Sequence, residues 1–598
     1  MDYNQPASSE GMCQRLQHWL YKGDSPESNQ SPGISTLLRK VLPLVAFAGI
    51  VSVYAIQTET FKSTDHSEKF STIQVAEQKE TIALKHINAI TWNVAAVNNN
   101  PFEYWITNDD PNYNRIMSNV SSFIDSPGHF DLPVKEIFTE QMFTELEESM
   151  TAANWTGVAE TRILWDTVYK ERKVITEFIK NLDLGKKRLT SMPDRVTNSI
   201  TTSSGIVMRP AVVNCYSNSD LSTIDMWWQQ WRAFVFTSEI TVKKQGKRTV
   251  VKVRDMFSKI PRSKYPALTA EEEAISVPLQ TLCLAIFDAV LVNMMNTIDS
   301  INWQPLRADI CNKLNKKKTD RITQILQTTY ATADIQFLQE VASSFEEAVS
   351  KRPLSSIFDI HSPATMDSKR DQNSFILLKK GRFTEVTDVT SRLLKKVDSD
   401  HPIPLTDGDL LVLTAIDSED GARYIFASFH GDTNGLATIP VTSAIHAYAV
   451  SKPNYKLIFG LDANTYNKPK IDEQGMVQFA EFFSSKKMTS CYGSSPNPRN
   501  FTTFNARTHL QPQLNKAVRL EEKDVKGDKN PKDFILFFSS DFSVVATEKD
   551  NTGKRNYVEN MVFPTLSFPS DHAVTSTVLA EKVSKKSKSQ SIAQLDSH

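Results

Sequence analysis

The strongest constraint on this chain is a series of short apolar runs that close on one narrow class of polar residue. Thr91-Trp92 runs into Asn93, Phe337-Leu338-Gln339 into Glu340, and Ser428-Phe429 into His430. Phe459-Gly460-Leu461 runs into Asp462, with Asn464 two places on, and Phe568-Pro569-Ser570 into Asp571-His572. Lys532-Asp533-Phe534-Ile535-Leu536-Phe537 reverses the order, with the acid opening the run. Runs of this length bounded by polar residues read as strands. Side chains at the strand ends of one sheet edge converge, as functional groups do on loops held by a rigid scaffold. The residue types are carboxylates, amides and imidazoles, with no cysteine. Hard oxygen donors of this kind suit Mg²⁺ or Mn²⁺ better than zinc.

The runs sit inside an alternating pattern. Strands are expected at 86–96, Ile335–Leu338, Ser374–Lys379, Leu410–Thr414, Tyr424–Phe429, Tyr455–Gly460 and Phe534–Phe538, with a helix at Arg321–Thr328. Such a series implies an α/β fold, a sandwich of packed mixed sheets flanked by helices. Between the first and second runs the texture changes. Residues 105–316 are mostly helical by period, with helices expected at Phe138–Met150 and Arg162–Leu184 and a helix or helix pair over Ala270–Asp299. A hairpin interrupts them at Thr241–Val253, with its turn at Gln245-Gly246. Seven of the nine tryptophans fall here, which argues for a helical core of its own. Lys313–Arg321 reads as a solvated helix start.

The amino-terminal sixty residues differ again. Residues 1–36 are polar and turn-rich, a disordered cytosolic tail. Arg39-Lys40 then precede an uncharged apolar run, so residues 37–57 read as a transmembrane signal-anchor and 58–85 as a linker. At about 1.5 Å per residue Val41–Ile56 gives about 24 Å, and flanking residues complete the span of a bilayer core about 30 Å thick. Basic residues upstream place the amino terminus in the cytosol and the rest lumenal or extracellular. A removed signal peptide, giving a secreted protein, and a buried core helix are the alternatives. Residues 581–598 form a basic, solvated tail.

Composition excludes several classes. With 40% hydrophobic and 23% charged residues the chain is neither wholly disordered nor a multi-span membrane protein. Lys+Arg 68 against Asp+Glu 69 leaves no global field to gather polyanions, so any such chemistry is local. Five cysteines exclude a disulfide scaffold, although Cys215, Cys283, Cys311 and Cys491 are free to pair in an oxidising compartment.

These six motifs in this order resemble the endonuclease/exonuclease/phosphatase superfamily, which includes DNase I-like nucleases and neutral sphingomyelinases. Asp462-x-Asn464 resembles its Gly-Asp-x-Asn motif, Asp533 its Asp-Tyr/Phe-Ile strand, and Ser570-Asp571-His572 its closing Ser-Asp-His. Two departures stand out. Leu461 occupies the place before Asp462, with Gly460 one earlier, and 247 positions separate Asn93 from Glu340, far more than the family needs. Residues 86–100 and 318–580 are therefore read as the catalytic fold, a four-layer α/β sandwich, and 101–317 as a helical insertion.

The resemblance implies a divalent-metal-dependent phosphoester hydrolase that uses Mg²⁺ or Mn²⁺. Glu340 is then the metal ligand, with Asn93 and Asp571 supporting it or a second ion. Asp462 orients or deprotonates water, and Asn464, His430 and an Asp533-paired His572 contact the phosphate. Asn373 is a candidate support for His430, and Arg507 a candidate contact to a further phosphate. A DNase I-like nuclease is the leading expectation. A membrane-associated, sphingomyelin-type lipid phosphodiesterase is the alternative, and a non-catalytic scaffold the third; no feature points to a protein partner. Taken singly the residues have ordinary readings: Asn93 a turn residue, Glu340 a helix-start acid, Asp462 and Asn464 an Asx turn. Asp533 is harder to explain away, because a carboxylate facing an apolar strand needs a partner.

Overall fold

A computed structural model of the chain describes residues 85–96, 98–215, 219–244, 247–366, 371–395, 405–504, 510 and 527–582, all in the second of two units, Met1–Thr81 and Ile82–His598. The tail 1–36, the run 37–57, the linker up to residue 84, Gln245-Gly246, Arg507 and residues 583–598 lie outside the described residues.

Twelve strands build the sandwich. They are β1 His86–Asn93, β2 Ile335–Val341, β3 Phe358–His361, β4 Asn373–Lys379, β5 Phe383–Asp388, β6 Leu410–Asp417, β7 Arg423–His430, β8 Tyr455–Asp462, β9 Met488–Ser490, β10 Asp533–Phe538, β11 Phe542–Asp550 and β12 Val574–Glu581. They form two six-stranded sheets, ordered β11-β12-β1-β2-β4-β3 and β9-β10-β8-β7-β6-β5. Both sheets are mixed: β1 runs parallel to β2 and β7 to β8, while the other neighbours are antiparallel.

Successive side chains of a strand point to opposite faces, and that alternation sorts the core. In β7, Tyr424 and Phe426 face the other sheet, packing with Ile87, Phe337 and Ile376. Ile425, Ala427 and Phe429 face outward onto the helices Thr438–Val450 and Met476–Ser485. On the first sheet, Ile90, Trp92 and Leu338 pack outward against Ile322, Ile325 and Leu326 of the helix Lys318–Thr328. The result is helix, sheet, sheet, helix, the expected α/β sandwich. Gly460 explains one of the departures. A Cβ there would lie 2.4 Å from the Phe337 ring, so the inner face of β8 must be bare where the sheets approach.

Between β1 and β2 the chain builds a bundle with its own hydrophobic core, which holds Trp105, Trp165, Trp227, Trp228, Trp231 and Trp303. Its axis is the helix Ser276–Asp299, the one helix among the described residues long and apolar enough to cross a membrane. Because 89% of its most apolar window is buried by neighbouring helices, it reads as a core helix. Inside the bundle the fully buried Arg209 is satisfied by Asp288 at 2.6 Å and Asp194 at 2.9 Å. A buried guanidinium is tolerated only when paired in this way. Cys215 and Cys311 form a disulfide, whereas Cys283 and Cys491 are buried thiols pushed up to about 12 by burial.

Two expectations are corrected. Arg162–Leu184 is not one helix: it breaks into Val158–Leu164, the wide turns Trp165–Tyr169 and Val174–Ile179, and Leu182–Lys187. The cause is tertiary. The Val134 and Lys135 N–H groups donate to the Arg172 and Lys170 carbonyls, and Val174 N–H donates to Leu132, so a neighbouring segment takes the hydrogen bonds a helix would use. Lys318, inside the stretch read as solvated, is 4% exposed.

Candidate active site

Strand register sets out the site. His430 lies beside Asp462 on the parallel pair β7 and β8, and Asp462 lies opposite Asp533 on antiparallel β10. That antiparallel step is why Asp533 opens its run while the others close theirs. In the first sheet Asn93 pairs with Gln339, which leaves Glu340 one place beyond. The β2–β4 register shifts between Leu338 and Val341, and Glu340 takes a left-handed φ of 55°. Bulges re-aim side chains in this way, and such a conformation costs of order 1–3 kcal/mol. It persists here because Glu340 is held from several sides.

Asn93 is the joint between the sheets. Its amide nitrogen donates to Glu340 Oε1 at 3.0 Å and to Asp462 Oδ2 at 2.9 Å, while its oxygen accepts the Ala95 N–H at 2.8 Å. Glu340 Oε2 also accepts the Ala96 N–H at 2.7 Å and the Gln372 amide at 3.2 Å. Beneath them Gln339 donates to Ser428 of the opposite sheet at 3.1 Å, tying the two layers below the site. Asn373 donates to the Val341 carbonyl at 3.0 Å, steadying the bulge that presents Glu340.

His430 Nε2 lies 3.4 Å from Glu340 and 3.8 Å from Asp462, and its buried Nδ1 has no hydrogen-bond partner among the described residues. His572 Nδ1 lies 3.0 Å from Asp533, and its Nε2 lies 3.7 Å from Asp462. Trp92 donates to the His572 carbonyl at 2.9 Å, and the Ser570 hydroxyl donates to the Asn93 carbonyl at 2.6 Å. These bonds dock the closing loop onto β1.

Electrostatics divide the acids. Burial pushes the Asp462 carboxyl up, but His572, His430 and Lys532 outweigh it and hold it below its ordinary value. Burial likewise raises Glu340, and His430, the Asn93 amide, Ala96 N–H and His572 bring it below its ordinary value. Asp571 goes the other way, raised by burial and by the repulsion of Glu340 despite His572 and Lys318. Burial pulls the His572 ring down, yet Asp533, Asp462 and Asp571 push it up to about 10, so it is an imidazolium at neutral pH.

The donor set fits a hard divalent cation. Ligand atoms of Glu340, His430 and Asp462 all lie within 4.8 Å of one another; those of Asp462, Asp533 and His572 lie as close, but His572 as an imidazolium cannot be a ligand. The repulsion that Glu340 exerts on Asp571 agrees with that fit. A cation relieves such repulsion directly. Arg507 lies outside the described residues; of the other nine sequence-derived candidates eight converge here, and Asn373 sits behind the bulge that presents Glu340.

Two site residues escaped the sequence reading. Lys532, 4% exposed, donates to Asn464 Oδ1 at 3.0 Å and pairs with Asp528 at 2.8 Å. Because lysine only donates, it fixes the Asn464 amide with its NH₂ turned away. Lys318 donates to the Ala96 carbonyl at 3.0 Å, and burial lowers it to about 8, against the pull of Asp571 and Glu340. The available signal was position: Lys532 directly precedes the buried Asp533, and Lys318 opens the helix that packs on β1.

Among known families, a domain of unknown function (DUF8234) matches residues 131–308, within the helical bundle. No curated protein matches the chain. Solved structures similar to it include the human Nocturnin catalytic domain with bound sulfate, 12% identical, covering 45% of this chain and 89% of that one at a TM-score of 0.30. They also include D. rerio TDP2 complexed with single strand DNA product, 14% identical, covering 45% and 95% at 0.29. A Bacteroides vulgatus endonuclease/exonuclease/phosphatase is 13% identical, covering 46% and 92% at 0.30.

Proposed function

We propose that the chain is a divalent-metal-dependent phosphoester hydrolase of the endonuclease/exonuclease/phosphatase type, acting as a nuclease. The observation that carries this is the convergence of two carboxylates held ionised, Glu340 and Asp462, with two imidazoles at the joined edge of two sheets. Glu340, assisted by His430 and Asp571, would hold Mg²⁺ or Mn²⁺. When bound, that ion supplies polarisation of a non-bridging phosphate oxygen and offsets charge that builds in the transition state. The remaining work belongs to the side chains.

Asp462, ionised at neutral pH, orients the attacking water and accepts its proton. Asn464, locked on Lys532, turns its NH₂ to the phosphoryl oxygens. His572 donates as an imidazolium whose tautomer and orientation Asp533 fixes. Residues 101–317 are proposed as an insertion in this catalytic fold. The lipid alternative drew its support from residues 37–57, which lie outside the described residues.

Hydrolysis of bis(p-nitrophenyl) phosphate by the full chain tests the reading. Activity in Mg²⁺ or Mn²⁺ that EDTA removes and that Glu340→Gln lowers at least 1,000-fold is expected, a loss typical of removing an essential catalytic group. Wild-type activity equal to that of the variant would refute it.

A further inference from the structure

The mechanism leaves one buried cation unused. Lys318 is 4% exposed, and a lysine is almost never buried this far without a task for its charge. Its ammonium donates to the Ala96 carbonyl at 3.0 Å, which takes one of its three N–H donors. Glu340 and Asp571 act on it from the site. Lys532, the other buried lysine, is closed instead on Asp528 at 2.8 Å and Asn464 at 3.0 Å.

The helical bundle sets where Lys318 stands. Its last helix, Trp303–Cys311, passes through the wide turn Asn312–Lys316 into the helix Lys318–Thr328, which the lysine opens. Single wide turns of this kind are frequent at functional sites. Asn315 in the turn donates to the Asn98 carbonyl at 3.0 Å and to the Asn99 side chain at 2.8 Å, which pins the turn to the segment after β1. One turn further on, Ile322, Ile325 and Leu326 pack against Ile90 and Trp92 of β1. A donor fixed from both sides needs little reorganisation when charge develops beside it.

Layer order decides which oxygen it meets. Asp462 comes from the second sheet, Glu340 from the edge of the first, and Lys318 from the helix layer outside the first. Asn93 stands between the two acids, donating to Glu340 at 3.0 Å and to Asp462 at 2.9 Å. Lys318, Glu340 and Asp571 line one cavity of about 360 Å³, and Asp462 and His572 are not in its wall. In phosphoryl transfer the attacking and leaving oxygens stand roughly in line across the phosphorus. With water on Asp462 and the phosphoryl group at Glu340, the leaving oxygen points away from Asp462, into the cavity and towards Lys318.

We propose, resting on the hydrolase reading above, that Lys318 is a further catalytic residue, whose ammonium holds the leaving oxygen of the cleaved ester. The water oxygen bonds to phosphorus as the ester P–O bond breaks, and the water proton passes to Asp462. The electron pair of the broken bond leaves with the ester oxygen, which Lys318 holds as an oxyanion until solvent protonates it.

The test uses the full chain in Mg²⁺ or Mn²⁺ with two diesters, methyl 4-nitrophenyl phosphate and methyl phenyl phosphate, and with bis(p-nitrophenyl) phosphate in parallel. Nitrophenolate spreads its charge into the ring and needs little help, whereas phenolate keeps it on the oxygen. Lys318→Met is expected to lower kcat about 100-fold on the phenyl ester, as for loss of one donor to a developing oxyanion, and less than about tenfold on the nitrophenyl ester. Lys318→Arg, which keeps a cationic donor, is expected to recover part of the phenyl-ester rate. If Lys318→Met does not fold, Lys318→Gln replaces it, because its amide can still bond the Ala96 carbonyl without the charge. Equal losses on both esters, as a structural or phosphate-binding role would give, or no loss on either, would overturn the assignment and leave the hydrolase reading in place. A wild type that cleaves only the nitrophenyl esters would overturn it too. Absence of metal-dependent hydrolysis of all three esters would instead remove the hydrolase reading, and the role of Lys318 with it.

Discussion

Lys532 shows how a residue behind the site sets the state of the side chains in it. Its ammonium sits between Asp528, Asn464 and the field of Asp462, which helps keep Asp462 ionised and Asn464 correctly turned. Lys532→Met is expected to lower kcat about 10–100-fold with KM changed less than threefold, and Lys532→Arg to recover part of it, as for outer partners of other sites. Steady-state kinetics on bis(p-nitrophenyl) phosphate check this. His572 makes a second prediction. Its folded pKa, about 10, lies above the ordinary 6.5, so the stabilisation from its carboxylates is complete below about pH 6.5 and fades as pH rises towards 10. In EDTA, the melting temperature of wild type minus that of His572→Gln should therefore narrow steadily between about pH 6.5 and 10. A gap that is constant or widens would contradict the assignment. The sequence made Asp533 legible because a carboxylate at the start of an apolar strand demands a partner. It hid Lys532, because a lysine outside a strand reads as solvent-exposed until the layers close over it.

At the scale of elements, strands that carry the site were readable because they are buried on both faces and so appear as unbroken apolar runs. The edge strand β5, Phe383–Asp388, was missed for the opposite reason: its residues are largely exposed, so it carries no unbroken apolar run. The Arg162–Leu184 segment keeps helical spacing yet breaks, since residues 132–135 capture its backbone, a contact that local periodicity does not encode. Gly460 looked like a displaced motif residue. In the structure it is a packing requirement of β8 against Phe337. Gly460→Val is expected to destabilise the fold by about 1–3 kcal/mol through overpacking between the sheets, read as a lower urea midpoint with unchanged m-value. A midpoint equal to wild type would show that the sheets are further apart at this position.

For the whole molecule, one α/β sandwich and one helical bundle lie side by side. The presence of the bundle was legible from its tryptophans and helical period, and its position over the site was not, because Asn315 and Asn98 meet across more than two hundred residues. The Cys215–Cys311 bridge closes a separation of 96 residues, which on chain entropy alone constrains the unfolded state by about 4–5 kcal/mol. Reduction should therefore lower the urea midpoint markedly, and an unchanged midpoint would argue that the bridge is absent in solution.

In the proposed reaction Glu340 holds a divalent cation while Asp462 acts on water. Turnover of bis(p-nitrophenyl) phosphate measured against Mg²⁺ concentration separates these roles. Asp462→Asn should keep the wild-type half-saturating Mg²⁺ within about threefold while kcat falls at least 1,000-fold, and Glu340→Gln should raise the half-saturating Mg²⁺ at least tenfold. Wild-type curves from both variants would contradict the account.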